Sequence, residues 1–468
     1  MYKCVKARVR CSDKLTEQIN CTLGVKQGDI CSPILFCIFI NELALEVIRN
    51  GRHGATFLLD PYELFILLLA DDVVLLSETI VGLQNQLNNL HRAATSLQLK
   101  VNINKSNIVV FRKGGYLGRR ELWYFNGSPM PVVNAYKYLG LYLSTKISFS
   151  AACKDISSKA KKAFLYVLQR LRQYENHTFD IFIKIFDAQI QPIMQYGSEI
   201  WGLEASAQYC ENTHLYALKK FLCVDKHTPN DLIYKELNRH PIIINSAVNC
   251  IRYWFKLVQM ENHRLPRKAY ISLYTLDERG HVNYNWVSKV RNCLCVNGFR
   301  HVWLQQGVGD MKAFLRIFKQ RLIDIRWQNV NHHLNDSERF SFYNSFCEQG
   351  FDLPIYLCID INRQLKYVMT KFRFGVSNLN VHYFRYRNVN PNRLLCQYCK
   401  TDVETELHFV LVCPLYNDLR NQYIPVKYHR NPNMFKLNLL LANKSRLLVE
   451  NLCCYIYNAF KIRSITHE

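Results

Sequence analysis

No stretch of this chain is apolar for long enough to cross a bilayer. Its longest nearly uncharged runs, such as "ICSPILFCIFI", fall short of the roughly 18 residues that a span needs. The first residues, "MYKCVKARVRCSDK", carry charge where a secretory leader carries an apolar stretch, so no signal peptide is expected. The 18 cysteines lack regular spacing, which argues against a disulfide framework and for buried thiols in a reducing compartment. These absences together predict a soluble intracellular protein of the cytoplasm or nucleus with no membrane partner, in which sequons such as Asn176-His177-Thr178 carry no meaning. Acid is also scarce: 37 Asp and Glu face 60 Lys and Arg, a net charge of +23. Such an excess favours a polyanionic partner, because each neutralised phosphate releases condensed counterions. At 468 residues, two or more domains are expected.

What is present begins with "LFILLLADDVVLLSE", residues 64–78. Two apolar, β-prone runs flank Asp71 and Asp72, a strand-turn-strand pattern with acids at the tip. Turns prefer polar residues, so the pair alone is compatible with an ordinary hairpin. Side by side on rigid strands, however, two carboxylates form half of a Mg²⁺ site, since hard cations take oxygen ligands.

Upstream, in "GVKQGDICSPILFCIFINELALEVI", Gly24 and Gly28 flank Gln27 and leave the backbone open to a ligand. Ser32 and Pro33 read as N-cap and first residue of a helix whose apolar face is Leu35, Phe36, Phe39, Leu43 and Val47. Downstream, Leu83, Leu87, Leu90, Ala94 and Leu97 line one helix face. A strand, "NIVVF", follows, and then a hairpin-like "YKYLGLYLS" centred on Gly140.

In this order the segments resemble the palm of a reverse transcriptase of the non-LTR, LINE-like retrotransposon type. "GVKQGDICSP" is similar to the family's motif B, "LADD" to motif C, "LKVNINKS" to motif D and "YKYLGLYLS" to motif E, the primer grip. The resemblance covers about a third of the chain. It implies that Asp71 and Asp72 bind catalytic Mg²⁺, and that Gln27, Gly28 and Ser32 line the nucleotide and template pocket. It makes Lys105 the motif D lysine that protonates pyrophosphate, with a solvated lysine as the alternative, and it places Tyr138, Leu139 and Gly140 in the primer grip. RNA template, DNA primer or target DNA, and dNTP are the implied partners.

Beyond residue 150, "CKDISSKAKKAFLYVLQRLRQY" sets Lys161, Lys162 and Arg170 among other cations, with one acid, against an apolar face of Ala160, Ala163, Phe164, Val167, Leu168 and Leu171. The family places a helical thumb here, which holds duplex through its phosphates. Residues 180–350 are helical in pattern and silent about chemistry. Near residue 370, Lys371, Arg373, Arg385 and Arg387 interleave with tyrosines and phenylalanines, a composition suited to RNA or DNA. Cys396, Cys399, His408 and Cys413 then give C-x2-C-x8-H-x4-C, four soft donors that close a tetrahedral Zn²⁺ shell. That spacing is similar to the Cys/His motif that follows the polymerase in LINE-like elements. Glu404 and Glu406 precede the histidine and are candidates to orient it.

A palm needs a third carboxylate, which the family supplies from motif A upstream of motif B. Here motif B begins at Gly24, and residues 1–22 read as a strand hairpin with Asp13 in its turn. The expectation is therefore the C-terminal part of a retrotransposon polymerase without fingers or motif A. The predicted fold is α+β. A partial palm of antiparallel strands with packed helices occupies 1–150, followed by a thumb-like region (151–240), a helical connector with the basic-aromatic patch (241–390), a zinc module (391–425) and a helical tail (426–468). Three function classes stay open: an RNA-directed DNA polymerase, inactive alone; a non-catalytic nucleic-acid-binding remnant; and a structural or interaction protein.

Overall fold

The structure is a computed structural model and describes all residues except 1–4, 12–13, 22–23, 27, 50–52, 59, 113–114, 116, 119, 174–177, 281–284, 348–351, 385–390 and 466–468. The chain forms two compact units, Met1–Ser148 with Gln259–Ser288, and Phe149–Val258 with Lys289–Glu468. The segment expected as one connector, 241–390, is thus shared between them. Residues 259–288 join the first unit because the helix Leu265–Glu278 meets its strands. There the Lys268 ammonium lies 4.6 Å from the Tyr62 ring centroid, and the Ser272 hydroxyl donates to the Leu58 carbonyl at 3.4 Å.

In the first unit, β1 (Val5–Ala7) pairs with β4 (Ile19–Cys21) around the smaller pair β2 (Arg10–Cys11) and β3 (Lys14–Leu15). α1 (Ser32–Arg49) follows, then the hairpins β5 (Ala55–Phe57) with β6 (Asp60–Leu64) and β7 (Ile66–Leu69) with β8 (Asp72–Leu75). After α2 (Ile80–Ser96) come two more hairpins, β9 (Tyr124–Phe125) with β10 (Ser128–Pro129) and β11 (Ala135–Tyr138) with β12 (Leu141–Ser144). All these pairs are antiparallel and two-stranded, and among the described residues no larger sheet joins them. The expected strand "NIVVF" is reduced to one parallel bridge, Ile108 with Val132.

A two-stranded hairpin is marginal by itself. Here α1 and α2 supply the packing. Ile40, Leu43 and Val47 of α1 meet Leu87, Leu90, Ala93 and Ala94 of α2, and Ile66, Leu68, Val73 and Leu75 of the β7/β8 hairpin pack against that cluster. The predicted face of α2 is the buried one, and Thr79 caps its start by accepting from the Gly82 N–H at 3.0 Å. The face of α1 is rotated from expectation: Phe36, Ile40, Leu43 and Val47 face the core, whereas Leu35 and Phe39 are exposed. α1 is apolar nearly all round, so periodicity alone could not select the stripe.

In the second unit, α3 (Ser150–Leu171) buries Ala160, Phe164, Leu168 and Leu171 and packs beside α4 (Gln208–Leu222), where the Ser157 hydroxyl donates to the Tyr209 carbonyl at 2.7 Å. Further elements are α5 (Asn230–Glu236), α6 (Met311–Asp336), α7 (Ser341–Phe346), α8 (Ile355–Cys358), α9 (Arg363–Arg373), α10 (Asn380–Tyr383), α11 (Met434–Leu441) and α12 (Arg446–Ile465), with other helices between them, among them the 18-residue Ile242–Gln259. No helix is long and apolar enough to cross a membrane among the described residues.

At the centre of this unit lies a buried ion pair. Glu236 is 1% exposed and Arg373 5%. The Arg373 Nε donates to Glu236 Oε1 at 2.6 Å and its Nη2 to Oε2 at 3.2 Å, while Nη1 donates to the Leu441 carbonyl at 3.0 Å. The hydroxyls of Tyr343 and Tyr356 donate to the same carboxylate at 2.8 and 2.7 Å. Burial first, and the Glu236 charge second, hold both phenols far above their ordinary range, so both remain donors. Arg373 is therefore not a nucleic-acid contact as the sequence suggested. A guanidinium this deep needs a partner inside the protein, and Glu236 is that partner.

Removing one partner strands a buried charge. Arg373→Met and Glu236→Leu are each expected to cost about 3–5 kcal/mol in urea unfolding of the chain, and the double variant clearly less than their sum. Additive losses would show that the two side chains do not act as a pair.

Candidate catalytic hairpin and metal-binding module

β7 and β8 are joined by two residues, Ala70 and Asp71, with Leu69 opposite Asp72. Ala70 takes φ of +51°, a left-handed conformation that costs a non-glycine residue about 1–2 kcal/mol. Such strain collects at functional sites because only a well-determined surrounding sustains it. Along the pairing, Ile66 with Leu75 and Leu68 with Val73 share the core side. Leu67 with Val74 and Leu69 with Asp72 share the other, because side chains alternate. Asp72 thus starts β8 on the face directed away from α1 and α2, and both aspartates are exposed. Among the described residues no third metal-ligating side chain gathers with them.

Leu139 and Gly140 link β11 to β12 with φ of +45° and +83°, the two-residue turn that matches strand twist and favours glycine. Leu139 is 43% exposed rather than core. Beside the turn, burial first and the Asp72 carboxylate second hold the Tyr138 phenol above its ordinary range, so Tyr138 lies within reach of the Asp72 charge. Lys105 ends a short 3₁₀ turn, Ile103–Lys105, and is exposed. Its carbonyl accepts from the Tyr136 hydroxyl at 3.0 Å, which ties the turn to β11.

The loop before α1 differs in detail from the sequence reading. Ser32 is not the N-cap. The first helical bond runs from the Leu35 N–H to the Cys31 carbonyl, and the Ser32 hydroxyl donates back to the Lys26 carbonyl at 2.5 Å. The Asp29 carboxylate accepts from the Cys31 N–H at 3.0 Å instead. Gly28 has φ of +85°, and a Cβ there would meet nothing within 4 Å, so its requirement is conformational rather than steric. Gln27 and Asp13 lie outside the described residues, as do Arg385 and Arg387. Of the remaining proposed nucleic-acid contacts, Lys161, Lys162 and Arg170 are exposed along α3, and Lys371 is half-buried on α9.

In the Cys/His module, an isolated bridge between Leu395 and Val403 folds the first two cysteines into a tight turn, in which the Lys400 N–H donates to the Cys396 carbonyl at 2.9 Å. The donor atoms of Cys396, Cys399 and His408 all lie within 4.8 Å of one another. Cys399 Sγ is 3.4 Å from His408 Nε2, and Cys413 Sγ is 3.9 Å from Cys396 Sγ. Cys413 therefore flanks the triad through Cys396. Burial alone would raise the Cys399 thiol, but the hydroxyl and N–H of Thr401 and the N–H of Asp402 outweigh it and hold it below the usual range. Burial pushes Cys413 up to about 12.

The two glutamates expected to orient His408 are engaged elsewhere. Glu404 accepts from Arg463 Nε at 2.7 Å and Nη2 at 2.8 Å and from the Asn380 N–H at 2.8 Å, and Glu406 pairs with His382 Nε2 at 2.6 Å. They anchor the module to α12 and α10. The carboxylate that faces His408 Nδ1 is that of Asp402, 3.7 Å away. Sequence reasoning missed Asp402 because it sits in the turn between the cysteines and the histidine, where acids are common.

If Asp72 raises Tyr138, then Asp72→Asn should lower the pH at which Tyr138 ionises, read by NMR on ¹³C-tyrosine-labelled protein. An unchanged midpoint would separate the two hairpin tips.

Comparison with known proteins bears on the first unit above all. Residues 1–143 match the family described as reverse transcriptase (RNA-dependent DNA polymerase). The chain is 28% identical over 207 residues to a probable RNA-directed DNA polymerase from transposon X-element of Drosophila melanogaster, covering 42% of this chain and 21% of that protein. It is 24% identical over 192 residues to the RNA-directed DNA polymerase from mobile element jockey of the same fly, covering 39% of this chain and 20% of that protein. To the retrovirus-related Pol polyprotein from type-1 retrotransposable element R2 of Popillia japonica it is 23% identical over 305 residues, covering 59% and 48%. The chain thus spans between a fifth and a half of the length of these relatives. Residues 1–143 belong to the reverse transcriptase family, in the kind carried by non-LTR retrotransposons.

Proposed function

We propose that this chain carries palm elements of an RNA-directed DNA polymerase that joins dNTP to a DNA primer or target DNA on an RNA template. The observation that carries the reading is the exposed acid pair at a strained hairpin tip, with the Tyr138 phenol within reach of the Asp72 charge. Asp71 and Asp72 supply adjacent hard oxygen donors on rigid strands and would hold Mg²⁺. Bound there, Mg²⁺ supplies the charge that activates a 3′-hydroxyl and stabilises departing pyrophosphate. Gln27, Gly28 and Ser32 line the nucleotide and template side, Tyr138, Leu139 and Gly140 position the primer end, and Lys105 gives a proton to pyrophosphate. The same reading gives the module of Cys396, Cys399, His408 and Cys413 a structural Zn²⁺, for which three donors within 4.8 Å and the neighbouring Cys413 are the support.

Two carboxylates complete only part of a two-metal site. The reading therefore includes a third carboxylate that must join Asp71 and Asp72 before nucleotide transfer. The Asp29 carboxylate accepts from the Cys31 N–H, and the side chain of Asp60 lies outside the described residues. A polypeptide of these 468 residues is expected to bind template-primer and not to extend it, since lost positioning and lost charge stabilisation each cost on the order of 10² to 10³ in rate. Primer extension with Mg²⁺ beside a filter-binding titration checks this. Robust extension abolished by Asp71→Ala would mean that another acid of this chain completes the site.

For the module, metal analysis of the purified chain should give about one zinc per molecule, lost in Cys396→Ser together with local protection from proteolysis. Full retention of metal in Cys396→Ser would refute the assignment.

A further inference from the structure

We propose that Arg239, Arg252 and Lys319 converge on a binding site for a phosphate dianion, either free inorganic phosphate or the terminal phosphate of a small phosphomonoester. The site lies within the second unit, in the stretch 180–350 whose sequence pattern is silent about chemistry, and it uses no residue of the acid hairpin.

Four segments assemble it. The chain widens into a π-helical turn at Phe186–Ile190, a rare form that recurs at functional sites. From this turn Asp187 pairs with Arg239, whose Nη1 donates to Oδ2 at 3.1 Å and whose Nη2 donates to Oδ1. Gln191 Oε1 accepts from the same Nη2 at 3.2 Å, and the Arg239 Nε donates to His214 Nε2 of α4 at 3.4 Å. The guanidinium is thereby fixed in place.

Arg239 follows α5, which lies along α6 through Asp231 with Arg326 and His333, and through Lys235 with Asn331 at 3.0 Å. Nearer the start of α6 is Lys319. The helix Ile242–Gln259 meets α6 where the Phe255 and Phe314 rings lie edge to face, 5.4 Å apart. Arg252, one turn before Phe255, is exposed and spends one N–H on Asn249 Oδ1 at 2.6 Å.

Lys319 is the half-buried member of the group. Among the described residues its ammonium has neither a hydrogen bond nor an ion pair. Burial first and the Arg239 charge second hold it below its ordinary range. Arg252 adds to this, and Asp187 is the one carboxylate among the described residues that opposes it. Burial, and then Lys319 and Arg239, push the His240 imidazole down to about 4, so His240 adds no charge at neutral pH.

Like charges crowded out of water raise the free energy of the protein. Asp187 cannot relieve them, because Arg239 already takes both its oxygens. Three cations to one carboxylate leave a surplus of two positive charges. A phosphomonoester carries about 1.5 to 2 negative charges at pH 7 and three acceptor oxygens, whereas each phosphodiester of a nucleic-acid strand carries a single charge. Arginine forks match phosphate oxygens in pairs, and lysine adds a point charge. The charge count therefore selects the dianion over the strand, and convergence on one lysine suits a compact anion over a rod.

The test is isothermal titration calorimetry of the full chain at constant ionic strength with inorganic phosphate, and with dimethyl phosphate, which has the same four oxygens but a single charge. Wild type should bind about one phosphate per chain, and dimethyl phosphate about tenfold or more weakly. Lys319→Gln and Arg252→Gln should each weaken phosphate binding about tenfold. The control Arg321→Gln, roughly 200° from Lys319 round α6, should bind as the wild type does. Without ligand, Lys319→Gln should unfold at the same or a higher temperature, since it removes a like charge, whereas loss of a merely structural lysine would lower it. Adenosine monophosphate bound more tightly than phosphate would assign the site to a phosphomonoester, and equal or weaker binding would assign it to free phosphate. Dimethyl phosphate bound as tightly as phosphate would overturn the dianion in favour of a strand backbone, and equal loss in Arg321→Gln would overturn the site in favour of general charge. Absence of phosphate binding at 10 mM, or a lower unfolding temperature in Lys319→Gln, would overturn it too. None of these outcomes touches the hairpin reading, which primer extension decides.

Discussion

The second unit depends on one buried carboxylate. Glu236, at the end of α5, accepts from Arg373 of α9, Tyr343 of α7 and Tyr356 of α8, and Arg373 reaches on to the Leu441 carbonyl of α11. A charge in the interior is tolerated only when its lone pairs are satisfied, so the five elements must assemble together or not at all. The guanidinium also lies over the Phe346 and Tyr356 rings, at 4.7 and 5.5 Å from their centroids. This network sets the rotation of α9. Two residues before Arg373, Lys371 lies roughly 200° round the helix and is the one left to face outward over Tyr367.

The same rule shapes the Cys/His module. Its donors come from a tight turn and a short helical segment that could not hold their positions by local structure alone. Glu404 binds Arg463 and Asn380, and Glu406 binds His382, so the backbone leading into the histidine is tied to α12 and α10. Placing the anchors between the second cysteine and the histidine lets the protein bring thiols and imidazole near one another with the protein's own hydrogen bonds.

The first unit is held differently. Its acids are on the surface, and its order comes from apolar packing of α1, α2 and the hairpin β7/β8. What positions Asp71 and Asp72 is the turn between two packed strands, with Ala70 forced into a left-handed conformation. A second turn, at Leu139 and Gly140, carries an exposed leucine and follows a phenol that feels the Asp72 charge. Packed strands beneath and a strained turn above hold the acid pair in place without burying it.

Adjacent aspartates between two β-prone runs, a cysteine and histidine spacing, a glycine-centred hairpin and a leucine stripe along α2 are local patterns. Local periodicity and spacing determine such things, so the hairpins at Asp71 and Gly140, α2 and the nearness of Cys396, Cys399 and His408 were legible in the sequence. The choice of face on α1 was not, because a helix apolar on every side has no preferred stripe until a partner arrives. Nor was the fate of the charged residues. Arg373 and Lys371 look alike in sequence, and Glu404 and Glu406 look like partners of the histidine they precede. Only the fold decided that Arg373 would neutralise Glu236 in the interior, that the glutamates would reach Arg463 and His382, and that Asp402 would face His408. Each of those partners is distant in the chain, except Asp402, whose place is set by a turn. A long-range ion pair is a property of packing, and packing is where the sequence by itself falls silent.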